Sequence, residues 1–202
     1  MKITQELYQQ AVFHCNGVYK NLAYPDMVKR KTRANKLSGF CAEIFEMNEY
    51  DVIVFSGTNF TSIRDWIANI KMALGIKPIQ FVDALEFVLD GYNPQKPTII
   101  CGHSLGGAIV EYCVSSINSD KLVGITFNGA GIKHICQPRY PQNVYHFITK
   151  NDILNRIMGV MPFGYFKHVG KVVIVEDNNW NWVKSHSDFH SFMKHKFETQ
   201  KK

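Results

Sequence analysis

The sequence predicts a single α/β domain built on a mainly parallel sheet with helices on both faces. From residue 78 onward, short apolar runs alternate with segments of helical periodicity, and that rhythm belongs to parallel strands joined by crossover helices. At 202 residues and 46% hydrophobic content, the chain can bury one core but is small for two. No internal repeat, low-complexity tract or linker divides it, so the domain is taken as 1–202.

Residues 6–19 set Leu7, Ala11, Cys15 and Val18 at helical spacing, which predicts a first helix. The turn signal Tyr24-Pro25-Asp26 introduces VKRKTRANK, where Lys29, Arg30, Lys31, Arg33 and Lys36 read as a solvated connecting loop. A second use for those cations is peripheral contact with anionic membrane lipid. Residues 40–47 and 51–55 are rich in β-branched and aromatic side chains, and Asn48-Glu49-Tyr50 between them predicts an antiparallel pair. In 78–89, Phe81, Leu85, Val88 and Leu89 form one helical face, with Pro78 at the start and Gly91 near the end. A strand at 97–101 runs into Gly102, and 106–117 begins the next helix. Strands follow at 122–127, 144–148 and 172–175. A last helix at 187–197 is expected to bury Phe189, Phe192, Met193 and Phe197.

The first twenty residues mix apolar side chains with Gln, Glu, Asn and Lys, unlike the apolar core of a secretory signal, and no stretch reaches the 18 apolar residues of a membrane-spanning helix. Five scattered cysteines without a Cys-x-x-Cys pair suit a reducing compartment. A cytoplasmic or membrane-peripheral protein is therefore expected. The net charge of +6 favours anionic surfaces, but nucleic acid is not expected as a partner, because no zinc-finger spacing or RNA-binding motif accompanies it.

Gly102-His103-Ser104-Leu105-Gly106 satisfies Gly-x-Ser-x-Gly and falls between a predicted strand and a predicted helix. Such a turn lifts the serine hydroxyl above the sheet, and the glycines let the flanking elements approach. A serine hydroxyl alone is a weak nucleophile, so a base and a group that orients it must exist. Candidate acids after Ser104 are Glu111, Asp120, Asp152, Glu176, Asp177 and Asp188. Asp152 is placed best, just past the strand 144–148 and hence at the sheet edge that carries Ser104; Asp177, after the next strand, is the reserve. Candidate bases are His168, His186, His190 and His195. His168 precedes a strand and belongs at the opposite edge, and His195 reads as surface. His186, in Lys184-Ser185-His186-Ser187, is favoured over His190, because a loop histidine reaches more freely. His186 and His190 at i, i+4 would also suit a metal, but Ser187 replaces the Glu of His-Glu-x-x-His, so neither metal nor organic cofactor is expected.

Acyl transfer also needs donors for an oxyanion. Leu105 N–H supplies one by following the nucleophile. Ser56-Gly57-Thr58, at the end of the strand 51–55, ends in a residue with both a backbone N–H and a hydroxyl. Beyond it, Ile63, Trp66, Ile67 and Ile70 share one helical face opposite Arg64, Asp65 and Asn69, as either a core helix or a lid within 59–77.

These segments resemble the class 3 lipase family of α/β-hydrolases. GHSLGG at 102–107 is similar to its nucleophile motif, VFSGTNFTSIRDWIAN at 54–69 to its oxyanion strand and lid start, and Lys150-Asn151-Asp152-Ile153 to its acid segment. The resemblance covers most of 40–197. It implies Ser104, Asp152 and His186 as the catalytic Ser, Asp and His, Thr58 and Leu105 as the oxyanion hole, and a lipid ester as substrate. Ser56 stands where the family has Arg, and Leu154-Asn155-Arg156 replaces its Val-Pro-like continuation. A thioesterase or peptidase with the same triad, or a silent lipid- or protein-binding module on the same fold, are the rival readings.

Overall fold

The computed structural model describes residues 3–20, 28–35, 40–56, 79–136, 143–154, 156 and 167–196. Its elements run α1 (Gln5–Lys20), β1 (Val28–Asn35), β2 (Phe40–Glu46), β3 (Asp51–Phe55), α2 (Ile79–Gly91), β4 (Thr98–His103), α3 (Leu105–Ile117), β5 (Leu122–Phe127), β6 (Val144–Thr149), β7 (Lys171–Val175), α4 (Trp182–His186) and α5 (Phe189–Lys194). Seven strands form one sheet in the order β1-β2-β3-β4-β5-β6-β7. The first two ladders are antiparallel and the remaining four parallel. All five parallel strands therefore end at one edge.

The central strands β3 to β6 are buried throughout, because both faces are covered. On one face Phe81, Ala84, Phe87 and Val88 of α2 and Ala108, Ile109 and Tyr112 of α3 pack over Ile53, Phe55 and Ile100. On the other, Tyr8, Ala11, Val12 and Cys15 of α1 and Phe192 of α5 cover Val52, Val54, Ile99, Cys101, Phe127 and Phe147. The five cysteines are free thiols. No helix among the described residues is long and apolar enough to cross a membrane.

Three expectations are corrected. The basic segment is an edge strand and not a loop: β1 pairs with β2 along its length, with an irregularity between Lys29 and Lys31. Lysines suit an exposed sheet edge because they oppose pairing with a second chain, and here their stems and charges are used. Lys29 donates to Glu43 at 2.6 Å and sits over the Phe45 ring, and Lys31 pairs with Asp90 and sits over Phe87. The last helix is two helices, broken at Ser187 and Asp188, with Met193 44% exposed. The break has a local cause, since the Asp188 side chain accepts from Ser191 N–H and caps a new helix. His195 is partly buried, its ring 5.7 Å from that of Tyr8 and 5.9 Å from that of Phe147.

Buried histidines give the fold a pH dependence. Burial lowers His14, packed 4.6 Å from the Phe45 ring, to about 4, and burial together with the nearby His186 lowers His103 to about 3. Each is neutral when folded, so between about pH 6.5 and those values the unfolded chain binds more protons and stability falls as pH drops. The urea midpoint is expected to decline from pH 7 to pH 4.5. Replacing His14→Leu should remove about 2 kcal/mol of the stability lost between those two pH values; a loss equal to wild type would show that His14 does not carry it.

Candidate active site

Ser104 stands between the end of β4 and the start of α3 with φ 58 and ψ −123, a conformation that side-chain-bearing residues rarely adopt. Such strain persists only where the surroundings fix it. Ser104 N–H donates to Phe127 O at 3.1 Å, and Ser104 O accepts from Gly107 N–H at 3.0 Å. The motif glycines make the close approach possible: a Cβ on Gly102 would lie 2.5 Å from the Gly106 backbone, and one on Gly106 would lie 2.5 Å from Phe55 O. Ser104 is buried, and its hydroxyl makes no hydrogen bond among the described residues. Leu105 opens α3, where the first N–H groups have no intrahelical acceptor and the helix end carries partial positive charge.

At the same sheet edge, Asp152 follows β6 and is fully buried, and His186 closes α4. His186 Nδ1–H donates to Asp152 Oδ2 at 2.5 Å, which leaves Nε2 as the basic nitrogen of the neutral ring. His186 thus ends a short helix instead of lying in a loop. That helix is started by the Asn181 side chain, which accepts from Val183 and Lys184 N–H.

The reserve residues lie apart from this pair. Asp177 accepts from Asn151 Nδ2 at 3.2 Å, while exposed His190 lines, with Asp177 and Asp188, an open depression beside β7. Thr58 and the segment 59–77 lie outside the described residues. Ser56, before them, extends the β2 pairing by donating from N and Oγ to Cys41 O.

Sequence reasoning missed the buried network that holds His186. Asn128, at φ 44 just after β5, donates through Nδ2 to His186 O at 2.9 Å and Ser185 O at 3.2 Å. Its Oδ1 accepts from Thr149 N–H at 2.8 Å. His103 Nε2–H donates to the same His186 carbonyl at 2.7 Å, with the two rings 4.8 Å apart. The signal was Asn in Phe127-Asn128-Gly129, since Asn both tolerates positive φ and offers an amide, but its partners lie 21 to 58 residues away. A second missed group joins Glu111, His146 and His168, whose ligand-type atoms lie within 4.8 Å of one another. Both ring nitrogens of His146 are engaged, Nε2–H donating to Val169 O and Nδ1 accepting from Thr126 Oγ1, and Glu111 accepts from Val169 N–H. The group therefore ties the approach to β7 onto α3, and burial raises the Glu111 carboxyl above its usual range.

Residues 3–153 match the family model described as a phospholipase-like, Tle-like phospholipase domain. The extracellular phospholipase A1 of Serratia liquefaciens is 32% identical over 96 residues, which is 47% of this chain and 28% of that protein. The chain thus matches less than a third of the length of that relative. Among solved structures, the Rhizomucor miehei triacylglyceride lipase superposes with a TM-score of 0.54 at 17% identity, over 88% of this chain and 83% of that one. The lipase of Rhizopus microsporus var. chinensis gives 0.58 at 17% identity, over 87% and 76%. These structures share the α/β-hydrolase fold seen here.

Proposed function

Because the chain belongs to the Tle-like phospholipase domain family, we propose that it is a serine hydrolase that cleaves a carboxylic ester of a phospholipid through a Ser104 acyl-enzyme. What supports this reading is that a strained serine at a helix N-terminus and a buried imidazole held by a carboxylate both stand at the edge where the parallel strands end.

In this mechanism His186 Nε2 accepts the Ser104 proton as Oγ attacks the ester carbonyl, and Asp152 stabilises the imidazolium that results. Leu105 N–H, with Thr58 as second donor, carries the charge that develops on the carbonyl oxygen. The imidazolium then protonates the departing alcohol oxygen. In the second half, His186 takes a proton from the water that attacks the acyl carbonyl, then gives it to Ser104 Oγ as the bond from carbon to Oγ breaks, which releases the fatty acid and restores the serine. The chemistry needs no metal or organic cofactor. A Ser–His hydrogen bond that tightens only with substrate bound is common in such sites. A lipid substrate also gives the net charge of +6 a purpose, as attraction to an anionic membrane surface.

A fluorophosphonate probe should label the protein at Ser104, mapped by peptide mass spectrometry, and phospholipid turnover should disappear in step with labelling. Labelling elsewhere, or turnover that survives full labelling, would overturn the proposal. Asn128 supplies a separate prediction. Asn128→Gly keeps the positive φ but removes the amide that fixes the His186 backbone, so kcat should fall about 10- to 100-fold with KM within about twofold. An equal loss through KM alone would mean that Asn128 does not position the base.

A further inference from the structure

We infer that Arg156, stacked on Trp182, forms a subsite for the phosphate of a phospholipid headgroup at the rim of the Ser104 site; the inference rests on the phospholipid reading above. Arg156 stands one helical turn beyond Asp152, its N–H donating to Asp152 O at 3.2 Å. Trp182 stands four residues before His186 on the same helix, α4. Residues four apart share a helix face, so the two side chains extend the Asp152–His186 pair outward by one turn on each side. They also meet: the guanidinium carbon lies 4.7 Å from the centre of the Trp182 ring system.

This contact arranges a cation for an external anion. The guanidinium is exposed and held on one face by the indole, and Nη2 donates to Asn151 Oδ1 at 3.1 Å. Among the described residues no carboxylate lies within ion-pair distance of it, whereas the nearby Lys150 pairs with Glu176. A planar fork whose orientation is already fixed suits the paired oxygens of a phosphate, and less ordering is needed on binding than for a lysine. The surroundings fit the same ligand. Trp182 is 49% exposed and Trp180 93% exposed, and indoles with this exposure favour the headgroup level of a bilayer.

Substrate chemistry suits a cation in that place. In a glycerophospholipid the scissile ester and the phosphate hang from one glycerol, only a few bonds apart, so a cation one turn from the acid–base pair is within reach of the phosphate while the ester carbonyl lies at Ser104. A neutral glyceride carries no charge there. Arg156 would thus favour phospholipid over neutral lipid.

The test compares monomeric dihexanoyl phosphatidylcholine with dihexanoylglycerol, so that the acyl chains match and no membrane is present. Arg156→Gln should lower kcat/KM on the phosphatidylcholine about tenfold or more beyond any loss on the diacylglycerol. Arg156→Lys should recover part of the difference, and Trp182→Leu should lose part of it. Equal losses on both esters, or no loss on either, would overturn the subsite. A wild-type protein that cleaves neither ester would remove the hydrolase reading and the subsite with it, whereas wild-type cleavage of both with an unmoved ratio in Arg156→Gln removes the subsite alone. Inorganic phosphate separates the two sources of the anion. Competition only in the millimolar range supports a headgroup site, and competition in the micromolar range would reassign it to free phosphate.

Discussion

Ser104→Ala is expected to lower turnover of a phospholipid or a p-nitrophenyl ester by about 10⁴-fold or more while leaving the protein folded. Both halves of this expectation have structural grounds. The Ser104 hydroxyl makes no hydrogen bond among the described residues, so its removal leaves no donor or acceptor stranded in the fold. Ser and Ala also bear the same backbone strain at φ 58, because that strain comes from Cβ. The melting temperature should therefore stay within a few degrees of wild type. Adding His186→Ala to Ser104→Ala should cost almost nothing more in rate, since a base without its nucleophile has no proton to accept. Retained turnover in Ser104→Ala would place the chemistry elsewhere, and a full further loss on adding His186→Ala would show that the two residues act separately.

The same residue shows why part of this site can be read from sequence. Gly102, Ser104 and Gly106 are constrained by contacts within a few residues and with the adjoining strand, so the chemistry of the turn is written locally. The position of Asp152 is legible for a similar reason, since a residue just past a parallel strand must emerge at the edge where the other strands end. Local signals mislead where the decisive partner is distant. The run from Val28 to Asn35 looks like a charged loop because periodicity records burial, and an edge strand buries little. Its pairing is set by β2, whose residues lie in the mirrored order from Phe40 to Glu46. The division at Ser187 and Asp188 escapes notice because Phe189 and Phe192 continue the apolar spacing, and only the cap made by Asp188 shows that α5 starts afresh.

His186 illustrates the limit from the other side. As a residue type near the end of the chain it is a fair candidate for the base, but nothing local shows that its carbonyl is gripped by Asn128 and His103. Those bonds join three segments at the ends of β4, β5 and α4 and exist only after the sheet has assembled. They also separate His186 from His190. The first is buried and fixed through its main chain, and the second is exposed over a depression on the flank of β7.

Asp152→Asn is expected to cost about 10³- to 10⁴-fold in kcat, with KM nearly unchanged, because the carboxylate orients the base without touching substrate. The replacement preserves shape in a fully buried position, so the loss would report chemistry and not packing. An amide facing His186 Nδ1 can donate where the carboxylate only accepts. It then favours the tautomer with hydrogen on Nε2, which cannot take the proton of Ser104, and it offers no negative charge to the imidazolium. Asp177→Asn is the comparison that gives the result its meaning. Asp177 accepts from Asn151 and does not meet His186, so its loss should cost less than about tenfold. If Asp177→Asn were the more damaging change, the acid would be Asp177, and the 2.5 Å pair between Asp152 and His186 would be a structural contact at the end of α4.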